Sequence, residues 1–357
     1  MRVFYELNAL PEFRNAVLTI GSFDGVHAGN QEILRRVIRL ARQHKGERIV
    51  VTFHPHPREV VYPQDDRPLR LLTTIRERIE LLEEYGIDNV VVVPFTVEFS
   101  QQSADEYIQK FLIESFRPKF IVIGYDHRFG LNRQGDINFL RWYGEQGGYE
   151  VVEIEQQIIE NNAVSSSKIR TAVEQGDMPA ARKLMEHFFQ LSGPVVRGQN
   201  IGMELGFPTA NLDIPAKNKL IPPDGIYAVF ARHNGIRYGG MLYIGSRPTL
   251  KTHHNRTIEV HIFDFKQSIY GQEVQLELVE RIRDDQAFQD LDALRQQLQK
   301  DQEAVQAVLA RCGWSKESVL TQRSHPEAAI VILNYNGRAH LERFLDSVLA
   351  SGHPNMR

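Results

Sequence analysis

The sequence predicts an α/β domain built on a parallel sheet, followed by a small antiparallel β-barrel. Three observations predict it. Between residues 17 and 130, short Val- and Ile-rich runs alternate with amphipathic helical stretches, the pattern of a parallel sheet covered on both faces. From about Leu191 the chain turns into a succession of short strands with turn signals, which suits a small closed barrel. The length, 357 residues, exceeds what one domain ordinarily holds.

The elements follow in order. AVLTIG (16–21) is a strand feeding a Gly-rich turn. QEILRRVIRLARQH (31–44) is a helix that places Ile33, Val37, Leu40 and Ala41 on one face. RIVVTF (48–53) is a second strand. TIRERIELLEEYG (74–86) is a helix ended by Gly86, a natural C-cap. VVVVPF (90–95) is a third strand. SADEYIQKFLIESF (103–116) is a helix with Ser103 and Glu106 spaced as a capping box. KFIVIG (119–124) is a fourth strand. A short helical region covers residues 160–190. GPVVRG, GIYAVFARHNGIRYGGMLYIG, RTIEVHIFDF and EVQLELVERI are then the barrel strands, with HNG as a hairpin turn. Residues 285–311 close the barrel as a helix, and a polar linker follows at 315–327.

Composition narrows the function classes. A net charge of −3 gives no bulk electrostatic hold on nucleic acid or anionic lipid. A single cysteine, Cys312, excludes an internal disulfide framework and a Cys-based zinc site. No signal peptide is expected from MRVFYELNALPEF, which lacks a basic segment before an apolar core. No apolar run approaches the roughly 20 residues that span a bilayer. A cytoplasmic protein acting on small molecules, without nucleic-acid or membrane partners, is the expectation.

Two segments carry chemistry. In GSFDGVHAGN (21–30), glycines allow close backbone approach to phosphate, and the first N–H groups of the following helix face an anion with the helix dipole behind them. His27 can donate to a phosphate oxygen as charge develops in a transition state. Taken alone, such a turn is also what a plain strand–turn–helix connection gives. In ELGFPTANL (204–212), Gly206 and Pro208 make a rigid turn, and Thr209 and Asn211 offer two hard oxygen donors two residues apart, suited to Mg²⁺ on phosphates. In IEVHIFDF, Glu259 and His261 share one face of a strand, and a carboxylate there can take a proton from a substrate hydroxyl. HPHP (54–57) lacks a third metal ligand at recognisable spacing and reads as a turn. A zinc site at His253, His254 and His261 is weaker than a polar-loop reading.

As sets, these segments resemble bifunctional riboflavin kinase/FAD synthetase. GSFDGVHAGNQ, TFHPHPRE, GYDHRFG with Gly135-Asp136, and VSSSKIR (164–170) are similar to the adenylyltransferase half, over about residues 15–185. GPVVRG through GFPTAN, PPDGIYAV, YIGSRPTL, IEVHIFDF and YGQ are similar to the riboflavin kinase half, over about 187–305. The resemblance implies a Rossmann-like nucleotidyltransferase domain (1–186) that adenylylates FMN to FAD with ATP, and a riboflavin kinase barrel (187–312) that makes FMN from riboflavin and Mg–ATP. It implies that Gly21, Phe23, Asp24, Gly25, His27, Gly29 and Asn30 meet ATP, with Ser165, Ser166, Ser167 and Arg170 closing over it. Pro55, His56, Pro57, Asp126, Arg128, Phe129 and Arg247 would lie by flavin. Gly202 and Gly206 would wrap the kinase nucleotide, Thr209 and Asn211 hold Mg–ATP, and Glu259 serve as base. His27 and Glu259 are the catalytic pair of candidates.

Three departures from the family pattern stand out. The first motif ends Gly29-Asn30 where the family has Gly-His; Asn donates through an amide without positive charge, so adenylylation is expected to be slowed by it. His127 replaces a usual aromatic. The loop QNIGME (199–204) lacks a cation often found there. The alternatives are a monofunctional riboflavin kinase with a vestigial first domain, and a non-catalytic flavin-binding regulatory or carrier protein. Finally, AIVILNYNGRAHLERFLDSVLAS (329–351) resembles the opening strand and helix of family-2 glycosyltransferases. Within 313–357 it forms one β–α unit that cannot bury its own apolar faces, and it reads as the start of a second, fused or truncated protein, inactive here.

Overall fold

The computed structural model of the chain describes residues 1–63, 68–154, 165–198, 201–246 and 256–315. Arg247, His253, His254 and the segment 329–351 lie outside the described residues.

The first half is a six-stranded, all-parallel sheet: β1 (Arg2–Phe4), β2 (Val17–Ile20), β3 (Arg48–His54), β4 (Asn89–Pro94), β5 (Phe120–Gly124) and β6 (Glu150–Ile154), in the order β1-β4-β3-β2-β5-β6. Every residue of β2 and β5 is buried, as continuous apolar strands between two helical layers must be. The sequence pattern predicts the four central strands. The flanking β1 and β6 are additions: β1 has three residues, too few for a period, and is a strand because β4 pairs with it.

The Ala28–His44 helix splits its apolar stripe. Val37, Leu40 and Ala41, with Ile33 beside them, pack against Val17 and Phe120. Leu34 packs instead with Val50 and Val92. The capping box of Ser103 and Glu106 is formed, and Gly86 takes the left-handed conformation (φ +78°) that a C-cap uses.

The chain runs from β2 outward through β3 and β4, then returns to place β5 on the other side of β2. Strand order therefore reverses between β2 and β5. Ligands of open parallel sheets bind at the carboxyl ends of the strands at such a switch point. The Gly21–His27 turn follows β2 there, and GYDHRFG follows β5.

The second half is a closed barrel of β7 (Phe189–Val196), β8 (Ala210–Leu212), β9 (Gly225–His233), β10 (Ile236–Ser246), β11 (Arg256–Ile262) and β12 (Glu273–Asp284), in the order β10-β11-β8-β7-β12-β9. The HNG hairpin is as expected, with Asn234 and Gly235 both at positive φ, as a type I′ turn requires. β8, absent from the strands read in the sequence, is a three-residue strand pairing with β7 and β11. The closing helix spans Leu291–Arg311 and packs Val305, Val308 and Leu309 on the barrel's outer face. The helices Ser166–Glu174 and Met178–Met185 contribute Ile169, Val173, Met178 and Met185 to the barrel's own core, together with Leu72. The two halves thus share one packed surface.

Candidate active sites

At the first site, β2 ends in a turn that no regular pattern allows. Phe23 (φ 47°), Gly25 (φ 87°) and Val26 (φ 38°) all lie in the left-handed region. For the non-glycine residues this costs about 1–3 kcal/mol each and persists only where surroundings hold it. Asp24, 2% exposed, does the holding. Its Oδ1 accepts from the backbone N–H groups of Leu72 (2.9 Å) and Thr73 (2.9 Å), and its Oδ2 accepts from Arg170 Nη2. Arg170 Nε also donates to Arg70 O at 2.6 Å. The structure therefore spends Asp24 and Arg170 on each other, as a buried pair beneath the turn.

His27 is the N-cap of the following helix, and its side chain makes no capping bond. The first-turn amides of Ala28, Gly29 and Asn30 are left for an incoming anion. His27 Nδ1 and Asn30 Oδ1 are buried atoms without a hydrogen-bond partner among the described residues. Burial pushes the His27 imidazole down to about 4; Asp24 pulls it back up, and Arg170 and His187 push it further down. At neutral pH this imidazole is thus uncharged. Gly21 lies against the Phe23 ring, 3.2 Å from where a Cβ would stand. Ser165 caps the Ser166–Glu174 helix, Ser166 Oγ donates to Asp24 O at 3.4 Å, and Ser167 O accepts from Thr171 Oγ1. Of the three, Ser166 is the one bonded to the turn.

Residues expected by flavin are placed less uniformly. His54–Pro55 is a cis peptide. His56 caps the helix Pro57–Val61, its ring accepting from Arg58 N at 3.2 Å while Glu59 accepts from His56 N. Burial lowers His56 to about 4, with Asp24 opposing. HPHP is a turn and helix start, and no group of three His, Cys, Asp or Glu suited to a metal occurs among the described residues. Asp126 and Arg128 are exposed, and Arg128 pairs with Asp136 at 3.1 Å. Phe129 is 5% exposed and stacks on Tyr107 at 4.9 Å, so its ring supports the loop from the core. Burial takes His127 down to about 4 against the pull of Asp126, and its Nε2 has no partner among the described residues.

At the second site, strand register assembles the expected residues. Glu259 on β11 stands directly opposite Asn211 on β8. Ile258, Val260 and Leu212 point into the barrel core, so by alternation Glu259, Asn211 and the preceding Thr209 share the outer face. Thr209 Oγ1 donates to Glu259 Oε2 at 3.1 Å. His261, one alternation further along β11, sets its Nδ1 2.8 Å from Pro208 O and so fixes the turn before Thr209. Burial lowers its pKa, while that contact and Asp264 raise it. The covering loop needs its glycines. A Cβ on Gly198 would stand 2.2 Å from Asn211 Nδ2, one on Gly202 would stand 2.4 Å from Phe207 O, and Gly206 is at φ +86°. The donor set is all oxygen, and a threonine hydroxyl that donates to Glu259 keeps lone pairs for a cation. These residues fit Mg²⁺, which takes few protein ligands.

Comparison with known proteins follows the same division. A family model described as FAD synthetase matches residues 10–168, and one described as riboflavin kinase matches 185–309. A bifunctional riboflavin kinase/FMN adenylyltransferase of Buchnera aphidicola is 34% identical over 84% of this chain and 96% of its own length. The chain belongs to the bifunctional riboflavin kinase/FMN adenylyltransferase family. The member from Escherichia coli K12 is 34% identical over 85% of this chain and 95% of its own. Among solved structures, a Streptococcus pneumoniae chain titled macrolide-efflux protein is similar, with a TM-score of 0.74 and 28% identity over 88% of this chain and 99% of that one. No helix among the described residues is long and apolar enough to cross a membrane. With this membership the expected class, a transferase joining riboflavin kinase to FMN adenylyltransferase, holds.

Sequence reasoning missed two buried cations, Arg78 and Lys219, and the half-buried His187 around these sites. Arg78, 2% exposed, donates to Thr52 Oγ1 (3.0 Å) and Phe53 O (3.2 Å) below the end of β3; burial lowers its pKa. Its signal was legible: it interrupts an apolar stripe of Ile75, Ile79 and Leu82 at helical spacing. Lys219 and His187 carried no such signal.

Proposed function

We propose that the barrel face of Thr209, Asn211 and Glu259 phosphorylates riboflavin on its ribityl 5′-hydroxyl. Glu259 takes the hydroxyl proton as the oxygen bonds to the γ-phosphorus of ATP and ADP leaves. Thr209, by its bond to Glu259, orients the carboxylate. Thr209 and Asn211 would hold Mg²⁺, which supplies charge neutralisation on the phosphates. Gly202 and Gly206, in the loop before β8, would lie against the nucleotide. The observation that carries this reading is the register placing Glu259 opposite Asn211 with Thr209 bonded to it.

The turn after β2 then transfers the adenylyl group of a second ATP to the FMN phosphate, releasing pyrophosphate. The free first-turn amides and His27 donate to the phosphates, and an oxyanion arriving beside His27 raises its proton affinity. Asn30 gives a neutral donor and makes this the slower reaction. We place the enzyme in the cytoplasm, with small molecules as its partners.

Two incubations test the proposal, riboflavin with Mg–ATP and FMN with Mg–ATP, with flavins separated by chromatography. FMN from the first and FAD from the second are expected. FMN without FAD would leave a monofunctional kinase, and no ATP consumption in either would leave a flavin-binding protein.

A further inference from the structure

The strained turn of the first site is held from the barrel half. Beyond Asp24, Thr73 Oγ1 accepts from Gly25 N at 3.0 Å, so the segment Leu71–Thr73 fixes the turn twice. That segment is itself clamped by residues after β8. Leu71 N donates to Asn218 O and Leu220 N to Leu71 O, both at 2.8 Å. Lys219 Nζ donates to Leu72 O at 2.6 Å and to Glu77 Oε2 at 2.7 Å. Lys219 and Glu77 have no side-chain exposure, and the ammonium lies 4.4 Å from the Phe189 ring centroid at the start of β7. From the other side, His187 sets Nε2 2.9 Å from Gly25 O and Nδ1 2.9 Å from Phe188 O. Gln31 Nε2 donates both to Val26 O (2.9 Å) and to Met185 O (2.6 Å). Gly25 O through His187, Gly25 N through Thr73, and Val26 O through Gln31 are thus each one or two bonds from residues 185–220, beside the contacts that Arg170 and Ser166 make to Asp24.

Resting on the adenylyl-transfer reading above, we infer that Lys219 and His187 are positioning residues for that reaction: they fix the Asp24–Val26 turn, from which His27 and the helix amides face the nucleotide. A buried turn at unfavourable φ relaxes once its holders go, and a displacement of about 1 Å at reacting groups can cost about a hundredfold in rate.

The full chain is compared with His187→Leu and with the double variant Lys219→Met/Glu77→Gln, which strands no buried charge. Amide hydrogen exchange is followed over residues 21–31 and 71–77, beside FAD formation from FMN and FMN formation from riboflavin. Exchange is expected to quicken in those two segments while β9–β12 keep the parent's protection. The kcat for FAD formation is expected to fall about tenfold or more, with the KM for riboflavin and the rate of FMN formation unchanged. Parent-like exchange and FAD rates in either folded variant overturn the inference. So does a uniform loss of protection and of both activities, the mark of a purely structural role. A parent that makes no FAD refutes the adenylyl-transfer reading instead, and the exchange arm still decides whether the clamp holds the turn.

Discussion

The two loops proposed to face phosphate are built from the same kinds of residue and held in opposite ways. The loop before β8 is held mainly by its own bonds, with His261 of β11 against Pro208 O. Phe207 N donates to Gly202 O at 2.7 Å and Gly206 N to Met203 O at 3.1 Å, and among its described residues the one left-handed position is a glycine. The turn after β2 puts Phe and Val in left-handed conformations and relies on Leu72, Thr73, Arg170 and His187, which lie 48 to 162 positions away along the chain. Charge is distributed differently as well. Two cations near the first site are committed to carboxylates, Arg170 to Asp24 and Lys219 to Glu77, a third, Arg78, donates to neutral oxygens, and its imidazole is neutral. The second site gathers oxygen donors for an added cation. A locally closed loop answers mainly to its own residues; a loop closed by tertiary contacts answers to substitutions far off.

Four substitutions or conditions test how separate the two sites are. The largest effect is expected from His27→Ala, which removes one transition-state donor. FAD formation falls by about 10² to 10³, and FMN formation from riboflavin is unchanged. Glu259→Gln keeps size and strand but removes basicity, so FMN formation falls by about 10² while FAD formation from supplied FMN continues. Equal loss of both activities in either folded variant would show one site where two are described. Asn30→His replaces a neutral donor by one that can be charged beside phosphate. Since a bond to a charged group is worth about 1.5–3 kcal/mol, FAD formation should rise about tenfold, as read from FAD produced from FMN and ATP. A parent as fast as Asn30→His would show the asparagine to be an adequate donor.

The smallest effect is one of pH on stability. His27, His56 and His127 are held at about 4 by burial, below the ordinary 6.5, and all three stand in the α/β half. The unfolded chain binds protons that the folded chain refuses between these values. Stability therefore stays level above about pH 6.5 and declines as pH falls towards 4. Urea melts across that window should show the decline, and His27→Gln should lessen it by one imidazole's share. An unchanged midpoint from pH 7 to 4.5 would mean that the three imidazoles protonate without strain.

Both catalytic candidates could be read in the sequence because each sits in a motif whose spacing is local. Glu259 and His261 alternate on one strand, and Thr209 and Asn211 stand two apart after a Gly-Pro turn. What could not be read is how those pieces meet. β8 has three residues, shorter than any period can reveal, yet its register with β11 is what sets Asn211 against Glu259. Arg170 and Asp24, both expected at nucleotide, are bonded to each other through a contact 146 residues long. Phe129, expected by flavin, is turned into the core by Tyr107.

Hydrophobic period and turn chemistry determined by themselves the central parallel strands, the helices between them and the β9–β10 hairpin, while the two motifs expected at phosphate were read only with the family resemblance. These depend on neighbours within a few residues, where sequence and geometry are nearly the same thing. Only the tertiary structure decided that β1 and β6 extend the sheet, that β8 joins the barrel, and that the turn after β2 takes a conformation its own residues disfavour. That turn is stable because a buried lysine and a histidine from the barrel half meet backbone atoms that the chain alone does not bring near them. Burial and distance, not residue type, gave those two side chains their role.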